Sequence, residues 1–445
     1  MEPGTRPVPQ WFDDAKLGIF VHWTAAAVPA FAPVTDSPFD LAGDGGWEEA
    51  MRCSPYVEWY QNSIAIEGSP AALHHAEVHG NRPYDDFVGQ FLAGHAGWQP
   101  DPWADLFAQA GARYVVLVTK HHDGVLLWPS DTPNPHKAQW ASERDLVGDL
   151  AVAVRARDLR FGTYYSGGLD WTFGGLPITD LAAMFRAIPQ TPEFLAYVEA
   201  HWRELIDRYR PDLLWADIGS PAALDLPGLF DRYYDAVPDG VVNNRFDWMA
   251  QTSGAVHCDF VTPEYSTVGD ANRKWESTRG IGTSFGYNRF EPEDSYLGPD
   301  ELVRMFVDVV AHGGNLLLNV GPTADGVIPW VQAQRLLALG WWLRTNGDAI
   351  YGTRPWSRTD GTTGEGHDIR YTTRDGALYA IVCGTPTSDT VELDVVPSAG
   401  AEVHLLGHDT VRPWTATSTG CRVTLPGRPA DAPALTLRIE PAPPG

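Results

Sequence analysis

The chain has 445 residues, 44% hydrophobic and 20% charged, a composition that suits a folded globular protein with room for one large α/β domain and a smaller companion. With 57 acidic against 32 basic side chains the net charge is −25, which repels phosphate backbones and anionic lipid, so neither nucleic acid nor a membrane is expected as a partner. No run approaches the roughly 18 consecutive apolar residues of a membrane span, and the first residues lack a basic stretch followed by an apolar one, so a cytoplasmic location is expected.

Apolar, β-branched runs recur through the first three quarters of the chain, at 17–22, 114–119, 160–165, 213–217, 240–244, 259–264, 282–287 and 315–320. Helical patterns fall between them at 102–110, 146–157, 192–209, 227–236 and 299–311, and three open on Pro192, Pro227 and Pro299, where a missing N–H costs nothing in a first turn. Strands alternating with helices predict an α/β fold, a (β/α)8 TIM-like barrel spanning 1–353. The stretch 33–101 lacks that rhythm and is rich in His, Trp, Tyr, Gly and Pro. It reads as a long loop inserted over the barrel mouth, with His74, His75 and His79 as solvated loop residues. After a helical pattern at 331–345, short alternating runs punctuated by glycine and proline predict an all-β sandwich over 354–445. Cys53, Cys258, Cys383 and Cys421 are widely spaced and read as thiols.

The polar residues that end these runs point to chemistry. The run from Pro211 closes on Asp217, and the run from Asp259 closes on Glu264, between Pro263 and Tyr265. Carboxylates at the carboxyl ends of barrel strands stand where such folds keep their active sites, and a pair of them suits general acid/base or nucleophilic work on a glycosidic bond. Other runs end at His22-Trp23, His121-His122, Tyr164-Tyr165, Asn243-Asn244-Arg245, Tyr287-Asn288 and Asn319. Neutral His, Asn and Tyr groups exchange hydrogen bonds with hydroxyls, while Trp23, Trp59 or Tyr265 offers a face to the C–H side of a sugar. Asp217 would attack an anomeric carbon, and Glu264 would protonate the leaving oxygen and then activate water. Metal chemistry is the main competitor, since His22, His121, His122, Asp217 and Glu264 are all ligand types. There is no His-x-His or His-Glu-x-x-His spacing, and neighbours such as His121 and His122 point apart on an extended strand, so no metal or cofactor is expected.

The ordered motifs resemble the α-L-fucosidases of glycoside hydrolase family 29. They run from Trp11-Phe-Asp-Asp-Ala-Lys-Leu-Gly-Ile-Phe-Val-His22-Trp23 through Glu58-Trp59-Tyr60-Gln-Asn62, Thr119-Lys-His121-His122-Asp-Gly and Tyr164-Tyr-Ser-Gly-Gly-Leu-Asp-Trp171 to Trp215-Ala-Asp217, Ser284-Phe-Gly-Tyr-Asn288 and Gly313-Gly-Asn-Leu-Leu-Leu-Asn-Val-Gly-Pro322. The resemblance implies a metal-free, retaining exo-glycosidase that removes terminal α-L-fucose from a fucosylated glycan or glycoside, built as a barrel followed by a β-sandwich. Asp217 matches the nucleophile and Glu264 the acid/base, while His22, Glu58, Trp59, His121, His122, Tyr164 and Arg245 match positions that hold the sugar. Glu276, Asp259 and Asp270 remain outside candidates for the acid. Thr24 and Val125 depart from the family's glycine and phenylalanine, and are expected to alter the wall that receives the fucose methyl. The family also admits homo-oligomers. The alternatives are a fucose-binding protein without turnover and a glycosidase for a related pyranoside.

Overall fold

The computed structural model describes residues 6–35, 37–270, 272–428 and 431–443. Seven parallel strands form a curled sheet in the order β5-β4-β3-β2-β1-β7-β6, from β1 (Leu17–Val21), β2 (Tyr114–Lys120), β3 (Arg160–Tyr165), β4 (Leu213–Ala216), β5 (Val241–Val242), β6 (Glu276–Gly280) and β7 (Asn315–Val320). Helices Asp101–Gln109, Leu146–Arg155, Pro192–Tyr209, Leu226–Ala236 and Pro299–Ala311 return the chain between strands, and Thr191, Asp145 and Asp225 cap three of them.

The gap between β5 and β6 is bridged by the segment 259–265. Parallel bridges join Asn243 to Phe260, Val261 to Trp275 and Glu264 to Thr278, so the ring closes as a barrel. The segment does not become a regular strand because its neighbours' side chains take over ladder positions. Asn244 Oδ1 accepts the Thr262 N–H at 3.0 Å, and Pro263 has no N–H to give. The expected strand at 282–287 is instead a loop, and the strand lies earlier, at Glu276–Gly280. Its polar residues show no apolar strand pattern, yet Glu276 is wholly buried in the barrel, bonded by Tyr114 Oη at 2.5 Å and Trp215 Nε1 at 3.2 Å.

Alternation along the strands sorts the core into two shells. Leu17, Ile19 and Val21 face the helix layer, whereas Phe20 joins Val116, Tyr164, Leu213, Trp215, Phe260 and Leu317 in the barrel interior. Gly18 is needed on that inner side, because a Cβ there would lie 2.2 Å from the Tyr114 ring.

The stretch 33–101 is helical, not a loop: it carries Pro38–Arg52, Tyr60–Ala65, Pro70–His79 and Tyr84–Gly94. Two of these starts are Ser-Pro pairs, in which Ser37 Oγ accepts the Asp40 N–H and Ser69 Oγ accepts the Ala72 N–H with proline in the first turn. His75 is correspondingly buried, between Tyr60 Oη at 2.8 Å and the Arg82 carbonyl at 2.9 Å.

Beyond the helix Trp330–Asn346, a five-stranded antiparallel sheet (Arg354–Thr362, Asp368–Arg374, Ala377–Cys383, Glu402–Leu405, Leu435–Glu440) faces a three-stranded one (Thr390–Leu393, Trp414–Ala416, Cys421–Thr424). Ile369, Leu378, Val382, Val391, Val423 and Leu437 from both sheets share one core, the arrangement of a sandwich. The Trp342 indole N–H donates to the Ala434 carbonyl at 2.9 Å and Arg370 pairs with Asp308 at 2.5 Å, tying sandwich to barrel. All four cysteines are free thiols, and no helix among the described residues is long and apolar enough to cross a membrane.

Candidate active site

The carboxyl ends of the strands surround a cavity of about 190 Å³. His22 follows β1, His121 and His122 follow β2, Tyr164 lies near the end of β3, Asp217 follows β4, and Arg245 lies three residues past β5. Glu264 comes from the bridging segment, and Glu58 and Trp59 come from the turn Val57–Trp59 between the inserted helices. All of these except His122 line the cavity; the His122 ring stands behind, edge-on to Trp59 at 5.1 Å.

Arg245 organises the two acids. Its Nη1 lies 3.0 Å from Asp217 Oδ1 and its Nη2 lies 2.7 Å from Glu264 Oε1, while Thr262 takes two further bonds through Oγ1 at 2.8 Å and its carbonyl at 3.0 Å. The guanidinium rests over the Trp215 ring, 4.7 Å from its centre. Burial works against its charge, but the carboxylates of Glu264 and Asp217 outweigh burial and raise its pKa above the ordinary arginine value. Asp217 also accepts the Tyr164 hydroxyl at 3.0 Å on Oδ2 and its neighbour's backbone N–H, that of Ile218, at 3.0 Å on Oδ1. Tyr56 Oη stands 3.4 Å from Glu264 Oε2.

Both acids are followed by a non-glycine residue in the left-handed region, Ile218 at φ +56° and Tyr265 at φ +51°. For a β-branched residue this is costly, of order 1–3 kcal/mol, and such strain persists only where its surroundings enforce it. At Ile218 the turn is what brings the N–H onto the carboxylate. Gly168 makes room for it, since a Cβ there would sit 2.5 Å from the Ile218 carbonyl oxygen.

The histidines are neutral. Burial pulls His22 down to about 4 and His122 to about 3, against the opposing charge of Asp217, and burial also holds His121 well below the ordinary value. The network also fixes their tautomers. Asn319 Nδ2 donates to the Phe285 carbonyl at 2.6 Å, so its Oδ1, 2.6 Å from His22 Nδ1, accepts a proton from that ring. Ser166 Oγ donates to the Leu169 carbonyl at 2.7 Å and so accepts from His122 Nδ1, also at 2.7 Å. Each ring therefore carries its proton on Nδ1 and keeps Nε2 as a bare acceptor. His122 Nε2 is buried without a partner among the described residues, 3.9 Å from Asp217 Oδ2. Glu58 has the opposite character: burial, reinforced by the charges of Glu264 and Asp217, pushes it up to about 8 despite an N–H from Gly286 at 2.8 Å.

The outside candidates stand elsewhere. Asp259 is locked by Arg6 at 2.7 Å, Tyr234 Oη at 2.7 Å and the Val242 N–H at 2.8 Å. Glu276 lies deep in the barrel, and exposed Asp270 caps its own turn at Asn272 N. Thr24 and Val125 are buried but neither lines the cavity, so the altered wall expected from them is not found there; Val125 packs into the core between sheet and helices. Sequence reasoning missed Tyr56, Trp215, Thr278 and Phe285, which line the cavity, although Trp215 and Phe285 stand inside quoted motifs. It also missed an outer wall of Phe39, Trp47, Leu181 and Met184, whose positions carry no signal short of the fold.

The family described as Alpha-L-fucosidase matches residues 2–348, and its C-terminal domain matches 363–440. Among characterised relatives, rat tissue alpha-L-fucosidase is 33% identical over 96% of this chain and 87% of its own, and human plasma alpha-L-fucosidase is 35% identical over 95% and 86%. Among solved structures, a Thermotoga maritima alpha-fucosidase in complex with fucose superposes with a TM-score of 0.85 at 40% identity, covering 97% of each chain. An alpha-L-fucosynthase of the same organism superposes with a TM-score of 0.88 at 41% identity, again covering 97% of both. Family match, relatives and superposition over nearly the whole length agree with the cavity at the barrel's carboxyl end: this chain belongs to the α-L-fucosidases of glycoside hydrolase family 29, enzymes that release fucose from glycosides.

Proposed function

We propose that this enzyme hydrolyses terminal α-L-fucosides by double displacement, with Asp217 as the nucleophile and Glu264 as the acid and then the base. The observation that carries the reading is the single guanidinium of Arg245 in contact with both carboxylates. A spacing set by one guanidinium favours the close pair of a retaining enzyme, about 5 Å apart, over the wide pair of an inverting one, roughly 6.5–9.5 Å apart.

In the first step Asp217 attacks the anomeric carbon from the face opposite the aglycone. The bond to the glycosidic oxygen breaks, and Glu264 gives that oxygen its proton. The product is a fucosyl ester on Asp217 with inverted configuration. In the second step Glu264, now a carboxylate, takes a proton from water as the water oxygen attacks the same carbon; the ester opens, and α-L-fucose leaves. When Asp217 regains its charge, the Tyr164 hydroxyl, the Ile218 N–H and Arg245 are already in place to receive it, so little reorganisation is needed.

The sugar's hydroxyls find the unprotonated Nε2 of His22 as an acceptor and a neutral Glu58 as a donor, while His122 supports the Trp59 wall from behind. His121, stacked on Tyr164 at 5.6 Å, adds a further polar ring, and Trp59 an apolar wall. The substrate on this reading is a fucosylated glycan or glycoside.

Azide trapping separates the two roles. Asp217→Ala should abolish hydrolysis of an aryl α-L-fucoside, and added azide should restore turnover to β-fucosyl azide, because the displacement is now single. Glu264→Ala should spare good leaving groups and yield α-fucosyl azide. Formation of the same azide anomer in both variants would refute the assignment.

A further inference from the structure

The cavity changes character from floor to rim. Its ionisable groups lie on the inner part, from His22 and Glu58 to Asp217, Arg245 and Glu264. Its outer part is walled by Phe39, Trp47, Leu181, Met184 and Ile218, none of which carries a charge. Exposure gives the direction, since inner Tyr164 is 1% exposed and outer Phe39 is 49% exposed. The outer walls come from two helices far apart in the chain, Pro38–Arg52 and Leu181–Arg186. Phe39 meets Trp47 edge-on at 5.9 Å, and Trp47, Met184 and Ile218 all pack onto one small cluster containing buried Met51, Trp59 and Trp171.

Resting on the fucosidase reading above, we propose that this outer slot is the leaving-group site, and that Phe39, Trp47, Leu181 and Met184 select α-L-fucosides whose aglycone is uncharged and presents an apolar or aromatic face. With the sugar on the acids, the aglycone oxygen lies by Glu264 and the rest of the aglycone is directed outward, against these side chains. An apolar ring gains by leaving water there. A sulfonate or carboxylate on the aglycone loses hydration and meets no cation among the lining residues beyond Arg245, which the two acids already hold. The unbranched Met184 thioether adapts to different ring shapes, so the slot discriminates by charge more than by outline.

The test compares aryl α-L-fucosides matched in leaving-group acidity, one with a neutral two-ring aglycone and one carrying a sulfonate on the same frame. The neutral substrate should show a kcat/KM roughly tenfold or more above its charged counterpart. In Phe39→Ser/Met184→Ser that ratio should fall toward one through loss on the neutral substrate alone, while inhibition by free fucose stays within about twofold, a readout that general damage would not spare. Met184→Gln alone should move the ratio the same way if the double variant folds poorly. Equal kcat/KM for both substrates in the wild type, or equal loss on both in the variants, overturns the slot while leaving fucosidase activity intact. Failure to cleave either substrate, when other α-L-fucosides are also resistant, overturns the fucosidase reading and the slot with it.

Discussion

Glu58→Gln isolates one buried proton. Glu58 is 3% exposed, and burial raises its carboxyl from 4.5 to about 8, so the folded chain holds a proton there across a range in which the unfolded chain has released it. A folded-state pKa raised above the unfolded value contributes stability that is fully present below about 4.5 and is lost as pH rises through about 8. Each unit of separation is worth about 1.4 kcal/mol, so the full window integrates to roughly 5 kcal/mol. Glutamine keeps the shape and still offers an oxygen to the Gly286 N–H, but does not titrate. Glu276, raised to about 7 by burial, is common to both proteins and cancels in the difference. Urea unfolding followed by tryptophan fluorescence at steps from pH 5 to 9 gives the assay. The wild type should lose stability relative to Glu58→Gln by several kcal/mol as pH rises. Parallel curves, within about 0.5 kcal/mol over pH 5–8, would refute the assignment of a neutral Glu58.

The histidines work the opposite window. His22 and His122 are pulled by burial from 6.5 to about 4 and about 3, so their stability is present above 6.5 and lost as pH falls toward those values. His122→Gln should flatten the acid side of the stability profile, and an unchanged acid slope would argue against a neutral ring. Gly168→Ala tests the strained turn after Asp217, because the new methyl would press on the Ile218 carbonyl from 2.5 Å. Displacing that carbonyl rotates Ile218 out of its left-handed conformation and with it shifts the Ile218 N–H that Asp217 accepts, which should cost about a hundredfold in kcat with little change in KM. A kcat within threefold of wild type would show that the turn does not position the acid.

Asp217 was legible in the sequence because a short buried run delivers it, and the ring of polar residues at other strand ends followed from the same rule. The strand Glu276–Gly280 was not, since Glu276, Ser277 and Thr278 are polar and no local pattern says that a barrel interior will satisfy them with Tyr114 and Trp215. Likewise two of the helices of 33–101 open on Ser-Pro pairs, whose role as helix starts shows only in the cap bonds of Ser37 and Ser69. The apolar slot was hidden for a different reason. Phe39 and Met184 are far apart in the chain, and only the packing of their helices gives them a common surface.

The closure of the barrel carries a mechanical consequence. Asp217 directly follows a regular strand laddered to β3 on one side and to β5 on the other, whereas Glu264 rides on a stave joined, among the described residues, by isolated bridges and side-chain bonds. A nucleophile serves best when anchored, because its line of attack is the same in both steps. An acid that first reaches a departing oxygen and then an arriving water has to shift slightly between turnover halves. On the roles proposed above, the nucleophile follows the laddered stave and the acid/base sits on the one held by isolated bridges.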